Sequence, residues 1–263
     1  MKRRAFTLME LLVVVVIIGL LAALLFPVFA KAKQAAQKAT CISNSRELAL
    51  ASLMYMQDHD DHLFPYGYWE GSTYRTWWGD LMTGKPDSGL IFPYTKSGQI
   101  RACPGAIGLD TGASYRYIMG YGMNFRIFYA YPPEYDTAEF RVASGQEAER
   151  PAETLFFADT AFWNSAANSC QGTPWLFGDS NTYHMQARHT GDVANVTWLD
   201  GHVSTAHLTY QNGKFDDSNA VDPATLKANN LGDFLKYPRE NPFALVATER
   251  DQFYYLFRKP RGL

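Results

Sequence analysis

Charge is scarce in this chain and evenly divided: Lys and Arg total 24 against 26 Asp and Glu, together 19% of 263 residues. The net charge of -2 offers no broad basic footprint for a phosphate backbone, which argues against nucleic acid as a partner. Cysteine is rarer still, at three, and no C-x-x-C pair occurs, so neither a thioredoxin-like redox motif nor a structural zinc site is encoded in that form. An HExxH pair, a phosphate loop, a dinucleotide fingerprint and a Ser nucleophile elbow are also missing, which leaves catalysis without a compact signature. Apolar residues make up 47% of the chain and aromatics 15%, while 20 Gly and 13 Pro follow no period, which excludes disorder and collagen alike. The length allows one large domain or two small ones with a sizeable core.

The apolar residues are unevenly spread. Leu11 to Ala30 contains no charge, and at about 1.5 Å per residue it can cross a hydrocarbon layer of roughly 30 Å. Lys2, Arg3 and Arg4 precede it, as in a secretory signal. The run is longer than the roughly 7–15 residues of an ordinary signal core, and Lys31, Lys33 and Lys38 follow in a polar helical stretch without a small-x-small cleavage site. It is therefore expected to be retained as a membrane span over about residues 10–30.

Helix formers continue to Gln57, so one helix is expected over residues 6–57, near 78 Å long. Leu48, Leu50, Ala51, Leu53, Met54 and Tyr55 give its distal half an apolar surface for a sheet, with Lys31, Lys33, Gln34, Gln37 and Lys38 in solvent. Gly19 and Pro27 punctuate the membrane half without dividing it into domains. Glu10, at the edge of the apolar run, needs either the headgroup layer or a partner, because an isolated carboxylate there is costly.

The stretch Ala5-Phe6-Thr7-Leu8-Met9-Glu10-Leu11-Leu12-Val13-Val14 resembles the class III signal of type IV prepilins and type II secretion pseudopilins. The resemblance implies that a membrane-bound aspartic peptidase cuts after Ala5 and methylates the new terminal Phe6. Glu10 then matches the acidic position used in methylation and assembly, facing the new amine of a neighbouring subunit. Ala5 stands where the family commonly has Gly. Loss of residues 1–5 as a leader removes Lys2, Arg3 and Arg4, leaving 21 basic against 26 acidic residues and a net charge of -5. Flanking charges are balanced, so it is the resemblance that places the bulk of the chain outside the cytoplasmic membrane.

After His62 short apolar and aromatic runs alternate with Gly, Pro, Asp and Asn, the pattern of strands and long loops. Strands or extended pieces are expected at residues 90–93, 115–121, 154–158, 195–199 and 202–208, with late packing elements at 243–246 and 253–257. Residues 67–89, with Trp69, Trp77 and Trp78, read as loop with a short helix. Residues 193–199 and 202–210 flank Asp200-Gly201, a pair favoured in tight hairpin turns. The fold class is α+β, with the long helix packed on an antiparallel sheet formed within residues 58–263.

A second resemblance covers residues 1 to about 210. Cys41-x-Ser43-Asn44, Tyr55-Met56-Gln57-Asp58, Leu63-Phe64-Pro65, Arg101-Ala102-Cys103-Pro104, Tyr121-Gly122-Met123-Asn124 and Pro151-Ala152-Glu153-Thr154 are similar to segments of pilin-like proteins with an H-x9-DG domain of the planctomycete type. Ala158-Asp159-Thr160, Arg188-His189 and Asp200-Gly201-His202 complete the likeness. Ten residues separate His189 from Asp200 where the pattern has nine, so either an insertion follows His189 or the histidine is displaced. Cys41 and Cys103 lie in family-like segments, and the resemblance implies a disulfide between them that staples helix to sheet. Cys170 is then free, buried and inert, or joined to another chain.

Three further groups bear on chemistry. Asp58, Asp60 and Asp61, with His59 and His62, offer oxygen ligands for calcium, although the spacing is not that of an EF-hand; a solvated helix exit is the competing reading. His189, Asp192, Asp200 and His202 are ligand and base types for metal-assisted hydrolysis, against a structural reading in which Asp200-Gly201 makes the turn and the histidines bond across loops. Trp77-Trp78, or Tyr129, Tyr131 and Tyr135, are candidates for an exposed platform for a glycan, peptide or pilus partner.

The leading expectation is a structural, non-enzymatic subunit of a pilus-like or pseudopilus-like assembly. It is processed by prepilin peptidase, self-associates through its N-terminal helix, meets pilus or secretion assembly proteins, and needs no cofactor. A membrane-anchored extracytoplasmic binding or adhesion module is the alternative, and an extracytoplasmic metal-assisted hydrolase the third reading.

Overall fold

The computed structural model describes residues 7–65, 67–80, 83–100, 102–106, 109, 120–125, 142–176, 183–210 and 222–234. Helix α1 runs over Leu8–Asp58, with Thr7 as its N-cap. It ends where Asp60 and Asp61 turn left-handed, at φ of 51° and 60°, a conformation that Asp tolerates better than most residues because its side chain bonds locally. At about 77 Å it is far longer than the domain it packs on requires. Every side chain from Thr7 to Ala36 is exposed.

The buried face of α1 consists of Cys41, Ser45, Leu48, Ala49, Ala51, Ser52, Tyr55 and Met56, recurring every three or four positions as one stripe requires. Leu50 and Met54, expected on that face, are 60% and 49% exposed. They fall off the line drawn by Leu48, Ser52 and Tyr55, and small Ser45, Ala49 and Ser52 let the sheet approach in their place. Gln37 and Lys38 are half-buried rather than solvated, and Gln37 Nε2 donates to the Pro104 carbonyl at 3.4 Å.

Strands β1 (Gly67–Glu70) and β2 (Thr73–Thr76) form a separate antiparallel hairpin. The main sheet contains β3 (Tyr121–Asn124), β4 (Leu155–Asn164), β5 (Ser169–Gln171), β6 (Trp175–Leu176), β7 (Tyr183–Gln186), β8 (Val193–Trp198), β9 (Val203–His207) and β10 (Leu231–Gly232). Its order is β10-β7-β4-β3-β6, with β5 and β8 also paired to β4, and β9 to β8. All these pairs are antiparallel except β3 with β6. The architecture is thus α+β, a long helix laid on a mostly antiparallel sheet.

Central β4 carries a register shift between Leu155 and Phe157. Phe156 and Phe157 are both fully buried, their rings 4.4 Å apart. Strict alternation would send one of two neighbours to the far face, and the irregularity lets both serve the core. Trp77 and Phe64 pack against them.

Two local expectations are corrected. Residues 90–93 form a turn leading into a short helix α2, Phe92–Thr95, because Pro93 has no N–H for a ladder and a φ suited to a first helical turn. Residues 67–89 contain the β1–β2 hairpin and, among the described residues, a 3-10 turn at Pro86–Ser88 as their helical piece. Gly71 at φ 63° opens its two-residue turn with Ser72, the Gly-first geometry that matches strand twist. The β8–β9 hairpin forms as expected, but its loop is Leu199-Asp200-Gly201. The Gly201 N–H bonds the Trp198 carbonyl, and Trp198 N–H the His202 carbonyl. Gly201 sits at φ 92°, which makes this a turn followed by a glycine bulge. The expected elements at 243–246 and 253–257, and residues 115–119, lie outside the described residues.

Candidate functional site

The N-terminal site is built on the first turn of α1. Thr7 N–H and Oγ1 donate to Glu10 Oε2 at 2.9 and 2.7 Å, and Glu10 N–H returns a bond to Thr7 Oγ1 at 3.3 Å. This reciprocal capping box satisfies donors that a helix start leaves open. It holds a carboxylate at the entrance of an apolar surface in which nothing is buried, Leu8 through Phe29 being exposed. The whole segment is long and apolar enough to cross a membrane. Because none of it is buried, it is not the core helix of a globular domain. Ala5 and Phe6 lie outside the described residues.

A second cluster joins the distal half of α1 to the sheet. Cys41 and Cys103 are disulfide-bonded, with Cα atoms 5.1 Å apart and a sequence separation of 62. Tyr121 Oη donates to the Cys41 carbonyl at 3.2 Å, and Asn44 Nδ2 to the Ala102 carbonyl at 3.3 Å. Burial raises the Tyr121 phenol far above its ordinary range, with nearby Asp159 adding to the shift. His189 lies against the sulfur, its Nε2 3.7 Å from Cys103 Sγ and 3.0 Å from Asp159 Oδ2. Asp159 Oδ2 also accepts the Asn195 N–H at 2.6 Å. The Arg188 guanidinium donates to the Gly120 and Thr160 carbonyls at 3.1 and 2.5 Å. Burial depresses its pKa, and the negative charge of Asp159 opposes that shift. Asp159 Oδ1 and both side-chain polar atoms of Asn195 are buried without a hydrogen-bond partner.

His189 and Asp200 do not meet. They stand beyond opposite ends of β8, so about 20 Å of strand separates their backbones. A sharp loop follows His189, with Gly191 and Asp192 both at positive φ. His202 Nδ1 instead contacts Asp200 Oδ1 at 2.6 Å, and its ring stacks on Trp198. The geometry therefore does not assemble His189, Asp192, Asp200 and His202 into one hydrolytic centre. Asp159, absent from the sequence-derived site, is the acidic partner of His189. The signal was its place in Ala158-Asp159-Thr160, the one charged residue of a mostly apolar strand.

The acidic residues after α1 are likewise used apart. Asp58 accepts from Tyr94 Oη at 2.9 Å; burial, with that bond, pushes the Tyr94 phenol up to about 12. Asp61 Oδ2 accepts from Ser144 Oγ and Gln146 N at 3.3 and 3.0 Å. Asp60 is exposed. Half-buried Cys170 is a free thiol, pushed up to about 11 by burial against the opposing effect of Arg188, so almost none of it is thiolate at neutral pH. Trp77 and Trp78 are buried, which removes them as a platform, and Tyr129, Tyr131 and Tyr135 lie outside the described residues. Among the described residues beyond the apolar run, the exposed aromatics are Tyr68 and Trp69 on β1. Tyr68 lines an open cavity of about 370 Å³ with Tyr55, His59, Arg75, Asp87 and Tyr94.

An apolar, unburied helix with an acidic residue at its entrance and a folded domain on its far end has the anatomy of a membrane-anchored protein. Residues 1–26 match the family model of the prokaryotic N-terminal methylation motif. No curated protein and no solved structure matches the chain. The protein thus carries a prepilin-type signal, which implies processing by prepilin peptidase in a pilus assembly context, and, among the described residues, a single helix long and apolar enough to anchor it in a membrane.

Proposed function

We propose that the protein is a structural subunit of a type IV pilus-like or type II secretion pseudopilus-like assembly, with α1 anchored in the cytoplasmic membrane and the sheet domain outside it. The observation that carries this reading is the continuity of the methylation motif with a helix surface that the domain leaves wholly uncovered from Thr7 to Ala36. Such a surface is satisfied first by lipid and then by the same surface of other subunits. Leu50 and Met54, exposed on the outer side of the domain half, extend the apolar contact past the membrane. The role is self-association, with no turnover and no cofactor. Asp58, Asp60 and Asp61 have no part as calcium ligands in it.

Glu10 is the residue to test, because charge pairing and helix capping make different demands on it. Glu10→Gln keeps an acceptor for the capping box but cannot neutralise a neighbour's Phe6 amine. Both Glu10→Ala and Glu10→Gln are expected to reduce incorporation into sheared or cross-linked assemblies by about tenfold or more, with cleavage after Ala5 intact. Normal assembly of the Gln variant would assign Glu10 to capping alone.

A second reading, a membrane-anchored binding module, draws on the exposed Tyr68 and Trp69 and the tyrosine-lined cavity at the end of the domain far from the anchor. It is distinguished by retention of all function when filament formation is blocked.

A further inference from the structure

We propose that the open cavity at the distal end of α1 is a binding site for a neutral saccharide, held by Tyr55, His59, Tyr68, Arg75, Asp87 and Tyr94. The inference names a ligand class for the cavity on which the binding-module reading draws, and it holds whether or not the chain enters a filament. At about 370 Å³ the cavity lies near the lower end of the range for small-molecule sites, a size suited to one or two sugar rings. It stands roughly 40 Å along α1 from the end of the apolar run, a reach that points it away from lipid and toward solutes outside the membrane.

The end of α1, the β1–β2 hairpin and the segment around α2 converge on the cavity, and their side chains are fixed before any ligand arrives. The Tyr55 ring stacks on His59 at 3.8 Å and meets Tyr94 edge-on at 6.0 Å. Tyr94 is held in turn by its bond to Asp58. Tyr68 and Arg75 are directly opposed in the hairpin register, so they share one of its faces. The Arg75 guanidinium is anchored on two sides, by Glu70 and, at 3.0 Å, by the Ser88 carbonyl. Groups anchored in this way lose little freedom on binding. Trp69 belongs to the opposite face of the hairpin, where it packs on Tyr74.

The free polar atoms select the ligand. Tyr55 is buried and Tyr68 is 40% exposed, and neither phenol hydroxyl has a hydrogen-bond partner among the described residues. Burial raises the Tyr55 phenol, and Tyr68 adds to the shift, so that hydroxyl stays protonated and can both donate and accept. His59 Nδ1 faces the Tyr55 carbonyl at 2.8 Å, which assigns the proton of the neutral ring to Nδ1 and leaves Nε2 as an acceptor. The Asp87 carboxylate is exposed and has no partner among the described residues. Donors and acceptors are thus interspersed with aromatic rings. A sugar matches that mixture: its hydroxyls serve both kinds of group, and its C–H face lies against the electron-rich face of a ring. A charged ligand does not, because an anion would meet Asp87 and Glu70, and a cation would meet Arg75.

The test uses the full chain in a detergent without a sugar headgroup, titrated by isothermal calorimetry with cellotriose, maltotriose, xylotriose, mannotriose and N,N′-diacetylchitobiose. The expected result is saturable binding of at least one of these at one site per chain, with a Kd on the order of 0.1–1 mM, as suits an open site with few anchors. Tyr68→Ala and Asp87→Ala, both at exposed positions, are expected to weaken binding by about tenfold or more with an unchanged near-ultraviolet dichroism. Trp69→Ala and Glu10→Ala are expected to bind as the parent does, the second whether or not it assembles. No saturable binding of any probe up to about 10 mM, or equal binding by Tyr68→Ala, would overturn the site. Binding of an oligoproline peptide in place of the saccharides would overturn it as well. These results bear on the cavity alone, whereas normal assembly of the Glu10 variants would count against the filament reading and leave the site standing.

Discussion

Alanine at Asp159 is expected to cost the folded domain about 3–5 kcal/mol, the range found when one partner of a buried charged pair is removed. Asp159 sits in the central strand β4, opposite Tyr121 in register, and has no exposed surface. Its Oδ2 accepts from the Asn195 N–H and contacts His189 Nε2, and its charge faces Arg188. Truncation leaves a backbone donor of β8 and an imidazole without their acceptor, and removes the negative charge near Arg188, which keeps only its Gly120 and Thr160 carbonyls. Asp159→Asn retains a carbonyl oxygen for Asn195 and loses only the charge, so its cost is expected to be clearly smaller. Thermal unfolding in detergent, followed by near-ultraviolet circular dichroism, measures both. A loss below about 1 kcal/mol for the alanine variant would show that the cluster is not held by the carboxylate.

Removing the disulfide by the paired substitutions Cys41→Ala and Cys103→Ala is expected to cost about 4 kcal/mol by the chain-entropy estimate for a closed loop of this length. The separation of 62 residues spans the helix exit and the β1–β2 hairpin, so the bond restrains much of the unfolded chain. It also fastens α1 to the sheet beside the Tyr121–Cys41 and Asn44–Ala102 bonds and the buried stripe from Cys41 to Met56. For a domain of roughly 150–250 residues the effect corresponds to a fall of about 10 °C or more in the unfolding midpoint. Cys170→Ser serves as the control and is expected to move the midpoint little. Equal midpoints for the double variant and the parent would mean that helix and sheet are held by packing without the staple.

The long helix was legible because its cause is local: an uninterrupted apolar run followed by helix formers. The β8–β9 hairpin was legible for the same reason, since Asp200-Gly201 carries its own turn chemistry. Less visible was the side of α1 that meets the sheet. Hydrophobicity singled out Leu50 and Met54, whereas close approach selected Ser45, Ala49 and Ser52. Small polar residues can be buried on a helix when their hydroxyls bond within it, as Ser52 Oγ does to the Leu48 carbonyl. The Gly71-Ser72 turn was present in the sequence but masked by the aromatics around it. The pairing of Asp159 with His189 could not be read from spacing, because 30 positions separate them and only the sheet brings them together. Asp200, which sequence pattern couples to His189, belongs to a turn at the other end of the strand.

Intact-mass and N-terminal peptide mass spectrometry of the protein from its native membrane tests the prepilin reading most directly. The expected chain begins at Phe6, carries a methyl group on its terminal amine, and lacks the charges of Lys2, Arg3 and Arg4. A chain that begins at Met1, or one that has lost the whole apolar run, would contradict assembly through a processed α1.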